Sequence, residues 1–305
     1  AIAEATGIQR VELKLDRDIL KSQLDKTISA LEYPRMGMAY VNLLIAGRVA
    51  QDAKVVLSGM GGDEFHAGYV GRYTITPRCG SLGAGSFFHR LFARRRRHKE
   101  NPLELYRKCL NFPVAVDELE EALTPDFRRA AAGFSVTDAI EGLVESAPSQ
   151  DPWDVVMYCD CITYLHGLLV LEDKLSMAHS LETRVPLLDN EVIDKALRLP
   201  WKFLCDGKTG KIIFREAVKP WVPDKIYTKP KMGFGPPDAS WYRGLLKEWI
   251  EDQLSESSIR RRGVFEHKYV RRKLEEHLSG TANHVALIWS LLSLESWFRL
   301  HNIAV

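Results

Sequence analysis

Three features of this 305-residue chain predict an α/β fold with an incomplete parallel sheet and a large, mainly helical C-terminal part. Lys54-Val55-Val56-Leu57 runs three adjacent apolar residues into the turn Ser58-Gly59-Met60-Gly61-Gly62, which ends on Asp63-Glu64-Phe65. Ahead of it lie a short alternating segment and two helical patterns, so the order reads β, α, α, β, glycine turn. From residue 102 onward, apolar residues recur three and four apart, the spacing of helices. Two strands make a poor sheet, and a buried parallel strand needs neighbours on both sides.

The elements follow in order. Val11-Glu12-Leu13-Lys14-Leu15 alternates apolar and charged residues behind the turn residues Thr6-Gly7, which predicts a short strand. Asp16 or Asp18 can cap the next helix by accepting a bond from one of its unpaired N–H groups. Ile19, Leu20, Leu24, Ile28 and Leu31 give that helix one apolar face, and Tyr33-Pro34 stops it. A second helix is expected over 39–53. Val55, Val56 and Leu57 suit a strand buried on both faces.

Beyond Tyr73 the text changes. Residues 76–100 hold several glycines, Phe87-Phe88 and the basic run Arg94-Arg95-Arg96-Arg97-His98-Lys99. In a nearly neutral chain that run reads as a solvated face or surface loop rather than a grip on nucleic acid. Helices are predicted over 102–110, 116–123, 137–146, 153–171, 190–197, 211–218, 241–254, 270–278 and 282–300. The one over 153–171 is expected to be central, with His166 hydrogen-bonded in the core.

Three stretches can carry chemistry. In the first, the glycines of 58–62 let the backbone turn sharply and approach a ligand. Loops at the carboxyl ends of strands in open α/β sheets meet ligands, and successive N–H groups there can hold an anion. Asp63 is placed to hold Mg²⁺ against phosphate oxygens. A strand followed by a plain turn with a solvated Asp-Glu pair fits the same residues. In the second stretch, 171–189, Glu182, Arg184 and Asp189 are expected as a partly buried ion cluster, either locking helices onto the sheet or taking part in the reaction. The third, Tyr227-Thr228-Lys229-Pro230-Lys231-Met232-Gly233-Phe234-Gly235-Pro236-Pro237, is a stiffened loop presenting lysines. That suits stabilisation of a developing negative charge, and equally a proline-rich linker. Gly207-Lys208-Thr209 is not a phosphate-binding P-loop, because the earlier glycine of that pattern is missing.

Composition bounds these readings. The apolar share of 46% and charged share of 27% are those of a globular protein with a sizeable core. A net charge of +2 argues for neither nucleic acid nor an acidic membrane surface. Five cysteines without a paired CxxC fit reduced thiols and a cytoplasmic setting rather than zinc. No apolar run is expected to reach the roughly 18 residues of a membrane span.

Together the three stretches resemble the synthetase domain of glutamine-hydrolysing asparagine synthetases. Ser58-Gly59-Met60-Gly61-Gly62-Asp63-Glu64 with Gly68-Tyr69 is similar to that family's second nucleotide motif. Ser176-Met177-Ala178-His179-Ser180-Leu181-Glu182 with Arg184, Pro186, Leu188 and Asp189 resembles its helical signature, and Lys229-Pro230-Lys231 with Gly233-Phe234 its catalytic-lysine loop. The resemblance implies an adenine-nucleotide α-hydrolase-like fold, with residues 1–75 a partial nucleotide-binding α/β core and 76–305 the helical remainder of the same domain. It implies that a small carboxylate acceptor, aspartate first among them, is adenylated by Mg·ATP and then amidated by glutamine-derived ammonia. On that pattern Ser58, Gly59, Met60, Gly61, Asp63 and Glu64 contact the nucleotide, Asp63 holds Mg²⁺, and Lys231 is catalytic.

Two departures qualify the resemblance. The family's upstream Ser-Gly-Gly-x-Asp-Ser pyrophosphate loop is absent from this sequence, as is the glutaminase domain with its N-terminal Cys. The chain is therefore expected to be part of a longer enzyme and to make little or no product alone; a homodimer is left open. Asparagine-forming members also often carry an acidic residue where Met60 stands. A thioether neither acts as a base nor pairs with an ammonium, which leaves room for other acceptors, as in amidotransferase and β-lactam-forming relatives. A non-catalytic binding module is the alternative from outside the enzymes.

Overall fold

The computed structural model describes residues 2–15, 18–35, 37, 39–73, 101–110, 112–229, 235 and 238–303. Among them helices dominate, and strands β1 (Val55–Leu57) and β2 (Glu182–Arg184) pair in parallel. The register sets Val55 against Glu182, Val56 against Thr183 and Leu57 against Arg184. Backbone bonds continue the ladder at both ends, from Glu182 N–H to the Lys54 carbonyl (2.9 Å) and from Ser58 N–H to the Arg184 carbonyl (2.8 Å).

β1 forms where the sequence places it, but it is not buried on both faces: Val55 is 51% and Leu57 71% exposed. Among the described residues, β2 is its one strand neighbour. Val11–Leu15 forms no ladder, and nearly all of it is exposed. Arg10 and Glu12 pair at 2.6 Å on its surface, and alternation alone does not hold a strand without a neighbour to bond.

The Ile19–Leu31 helix buries Leu20, Leu24, Ile28 and Leu31, the face its spacing predicts. Asp18 occupies the cap position without capping with its side chain and instead approaches Lys21 at 3.6 Å. Glu32, in the left-handed conformation, ends the helix just before Tyr33-Pro34. Its apolar face meets the Val285–Leu300 helix, which buries residues on several sides. Indole N–H groups tie the two together, Trp289 to the Arg35 carbonyl at 2.7 Å and Trp297 to the Glu32 carbonyl at 3.1 Å. Each leucine buried in this seam contributes roughly 1.5–3 kcal/mol. The second predicted helix is shorter than expected, Ala39–Val49, and the one predicted over 241–254 divides into Asp238–Arg243 and Lys247–Gln253.

The predicted central helix runs from Pro152 to Met177 and is long and apolar enough to cross a membrane by length and composition, contrary to the reading from apolar runs. Part of it packs in the core, with Trp153, Val155, Val156 and Cys159 buried. A π-helical turn, Cys161–Leu165, interrupts it. His166, expected in the core, is exposed on the turn that follows. Just before the π turn, Asp160 is 1% exposed and receives a forked pair of bonds from Arg72, Nε to Oδ2 at 2.8 Å and Nη2 to Oδ1 at 2.5 Å.

A buried carboxylate stripped of its partner costs far more than the pair is worth. Arg72→Met should therefore lower unfolding free energy by about 3–5 kcal/mol in denaturant titrations, and adding Asp160→Leu should recover much of the loss. A loss below about 1 kcal/mol for Arg72→Met would remove the pair from its structural role.

Candidate active site

The turn after β1 is built by contacts that reach it from three other segments. Gly61 adopts a positive φ of 86°, and a Cβ there would lie 2.0 Å from Leu188 Cδ2. Leu187 sits in the same way over Gly62. The Pro186–Leu188 turn thus clasps the glycines from the side of β2. Ser58 extends the ladder, Gly59 is exposed with open space beside it, and Met60 is half-buried. Gly59 thus stands at an open surface, while Gly61 and Gly62 are buried against the Pro186–Leu188 turn.

Asp63 closes the turn. Its Oδ1 lies 3.1 Å from Lys211 Nζ, with both side chains about one-fifth exposed. Gly68 permits this: its N–H bonds the Asp63 carbonyl at 2.8 Å, and a Cβ would fall 1.8 Å from Asp63 Oδ1 and 2.4 Å from Lys211 Cε. Lys211 was not among the predicted site residues. It is held in the left-handed conformation (φ 56°), with its N–H bonded to the His66 carbonyl at 2.8 Å. Burial first and then Lys211 push the His66 imidazole below its usual range. A sequence signal for Lys211 existed in the glycine-then-cation step that opens the helix predicted over 211–218.

Glu64 turns inward. It is 2% exposed and accepts a 2.8 Å bond from the Tyr69 hydroxyl, so the structure does not bring it to the open surface of the turn. Tyr69 meets Tyr164 edge-on at 5.6 Å, and Arg72 lies 4.8 Å over the Tyr164 ring. The expected ion cluster also differs. Glu182 and Arg184 pair with each other at 2.5 Å but are exposed, because they form the outward positions of β2. Asp189 instead caps the Asn190–Leu197 helix by accepting from Glu191 N–H at 2.9 Å. No group of three or more His, Cys, Asp or Glu suited to a metal occurs among the described residues. A single carboxylate beside phosphate oxygens is what Mg²⁺ commonly uses, so Asp63 fits that ion when a nucleotide supplies the remaining oxygens. Lys231 and the basic run 94–99 lie outside the described residues.

Residues 1–299 match the family model described as asparagine synthase. The chain belongs to the asparagine synthase family. It is 31% identical over 98% of its length to a putative glutamine-hydrolysing asparagine synthetase of Mycobacterium tuberculosis, covering 48% of that protein. It is 25% identical over 98% of its length to asparagine synthetase 1 of Bacillus subtilis, covering 49% of it. A protein named Amidase chyE from Penicillium rubens is 22% identical over 90% of this chain, which covers 47% of it. The chain spans about half the length of these relatives.

In this asparagine synthase family member, the stretch holding Lys231 is flanked by two anchored residues. Before it, Arg215 donates to the Tyr227 carbonyl and Tyr227 donates its hydroxyl to Glu216. After it, buried Asp238 accepts a 3.0 Å bond from the Tyr40 hydroxyl, whose ring lies 5.5 Å from that of Trp289. Burial raises the Asp238 carboxyl from its ordinary 3.8 to about 6 against the pull of the Tyr40 bond.

The sign of the resulting pH dependence follows from linkage. Between about pH 4 and 6 the folded chain holds this proton and the unfolded chain does not, so stability falls as pH rises through that window and levels off above it. The contribution is up to about 3 kcal/mol. Asp238→Asn should flatten the fall in unfolding free energy between pH 4 and 6; an unchanged pH profile would mean that Asp238 titrates normally.

Proposed function

We propose that this chain is the larger part of the synthetase domain of an ATP-dependent, amide-forming ligase. The observation that carries the reading is the glycine turn at the carboxyl end of β1, closed by the Asp63–Lys211 pair, in a chain of the asparagine synthase family. The turn suits a phosphate: exposed Gly59 lets the backbone come close to it, Lys211 faces its negative charge, and Asp63 would hold the divalent ion that accompanies ATP. When bound, Mg²⁺ neutralises charge on the pyrophosphate leaving group. An acceptor carboxylate oxygen attacks the α-phosphorus as the bond to pyrophosphate breaks. Ammonia nitrogen then attacks the acyl carbon, and the bond to AMP breaks. Ser58, Gly59 and Gly61 position the nucleotide, Met60 borders the acceptor, and Glu64 acts through the turn by fixing it to Tyr69. Lys231 supplies the cation that faces charge building on the α-phosphate, a positioned charge that needs no rearrangement at the moment of reaction.

On this reading β1, whose one strand neighbour among the described residues is β2, receives a further strand of the nucleotide-hydrolase-like sheet on its other edge, and residues 1–75 are part of that core. The relatives' greater length supports a glutaminase domain and a pyrophosphate loop elsewhere in the whole protein. The isolated chain is then inactive, and the site works in the cytoplasm, where ATP and glutamine are supplied. Met60 favours a second reading within the same chemistry, an acceptor other than aspartate, because a thioether offers no charge to an acceptor ammonium.

The test is pyrophosphate release by the full-length protein with ATP, Mg²⁺, ammonium chloride and a panel of carboxylates. Turnover with aspartate supports asparagine formation, and turnover only with another acid supports the second reading. No turnover with any acid overturns the ligase. In the active protein, Lys231→Ala should lower kcat by about 100-fold or more with little change in nucleotide affinity, as expected for a contact made in the transition state. Asp63→Asn should raise the Mg²⁺ concentration needed for half-maximal rate, and an unchanged requirement would remove Asp63 as a ligand.

A further inference from the structure

A cavity of about 440 Å³, within the size range of small-molecule sites, has Phe65 in its wall, the residue that follows Asp63-Glu64. Trp153, Tyr158 and Trp201 add three more aromatic rings. The helix Pro152–Asp160 brings Trp153 and Tyr158 to the cavity. Asp151 starts that helix by accepting from Trp153 N–H at 3.0 Å, and the Trp153 ring is held edge-on to Tyr73 at 4.6 Å. The turn Trp201–Phe203 supplies Trp201, and Leu204 N–H closes that turn on the Trp201 carbonyl at 2.8 Å. Leu197, at the end of the Asn190–Leu197 helix, adds an apolar side chain to the wall although it is 59% exposed.

Charge enters this cavity from one residue. Among the described residues that line it, Asp154 is the one acidic side chain, and no lysine, arginine or histidine is present. Asp154 is exposed, which places it at the rim. Ser149 Oγ donates to Asp154 Oδ2 at 2.9 Å, which steadies the carboxylate and leaves its other oxygen for a further donor. A neighbouring hollow that shares Ser149 adds Glu141 and Glu145, again without a basic residue. Cys161, also in the wall, brings no charge, since burial, then Asp160 and Glu64, push its thiol up to about 12.

We propose that this cavity binds a small organic cation, an ammonium carried on an apolar or aromatic body, with the body among the rings and the charge beside Asp154. Aromatic faces attract cations through their quadrupoles, and a carboxylate with no competing base in the wall adds a second attraction of the same sign. An anion would meet the carboxylate with nothing to offset it. A neutral molecule would gain the apolar contact alone. The assignment does not depend on the role given to any residue of the glycine turn.

Calorimetric titration of the full-length protein with 2-phenylethylammonium chloride tests the site, against 2-phenylethanol, which shares the ring and chain but carries no charge. The ammonium should bind at least about tenfold more tightly than the alcohol, and Asp154→Asn should remove that difference. Leu197→Lys, which sets a cation in the wall, should weaken the ammonium by about tenfold and leave the alcohol within about threefold of its parent value. Because Leu197 is exposed, that variant keeps the comparison available should Asp154→Asn fail to fold. Equal affinities for ammonium and alcohol, or no binding of the ammonium up to about 10 mM, would overturn the site. So would an unchanged ammonium affinity in either folded variant.

Discussion

The site depends on one backbone junction, the bond from Lys211 N–H to the His66 carbonyl. It joins two segments more than a hundred residues apart, and it holds Lys211 in the left-handed region, which costs a non-glycine residue about 1 kcal/mol or more. That conformation starts the Ile212–Val218 helix at the edge of the glycine turn and directs the lysine side chain at Asp63. Without the junction, neither Lys211 nor the helix that anchors Tyr227 would have a fixed relation to Asp63 and its turn.

A second set of contacts fixes the turn from below. Glu64 is out of water and bound by Tyr69, Tyr69 meets Tyr164, and Tyr164 carries Arg72, which is forked onto Asp160. The π-helical turn lies between Asp160 and His166 and sets where Tyr164 emerges from the long helix. π turns break regular helical bonding and recur near functional sites. Here the break brings an aromatic ring between the buried carboxylate of the turn and the buried ion pair of the helix. The motif's two adjacent acids therefore divide their tasks by burial: Asp63 faces the opening, and Glu64 faces the interior.

Local patterns were legible in the sequence wherever local forces decide. β1, its glycine turn and the apolar face of the Ile19–Leu31 helix follow from propensity and spacing, and the structure has them. β2 was not legible, because Glu182-Thr183-Arg184 has no strand-like apolar pattern and becomes a strand only by pairing with β1. The same non-local pairing explains the exposed Glu182–Arg184 bridge, which charge density alone had suggested belonged to a partly buried cluster. Val11–Leu15 shows the converse, a strand-like alternation with no ladder to join. Lys211 was missed because its neighbour in space, Asp63, is distant in sequence, and a single cation at a helix start has many ordinary explanations. Of the two caps offered for the Ile19–Leu31 helix, Asp16 lies outside the described residues, and Asp18 makes no side-chain cap because its carboxylate turns to Lys21.

The Asp63–Lys211 pair also bears on how a nucleotide would enter. Both side chains are about one-fifth exposed, so a ligand can reach each of them from the opening of the turn. On the proposed reading, Mg·ATP offers a better partner to each: the carboxylate gains a divalent cation and the ammonium gains a phosphate oxygen. Binding then exchanges one set of charge contacts for another within a preformed turn, and no charge is left buried at either stage. The Arg72–Asp160 pair differs in its carboxylate, which is 1% exposed and would be stranded if the arginine left it. The burial of the carboxylate, 1% exposed in Asp160 and 21% in Asp63, is what distinguishes the two pairs: on the proposed reading Asp63 can exchange its partner for a ligand, and Asp160 keeps its own.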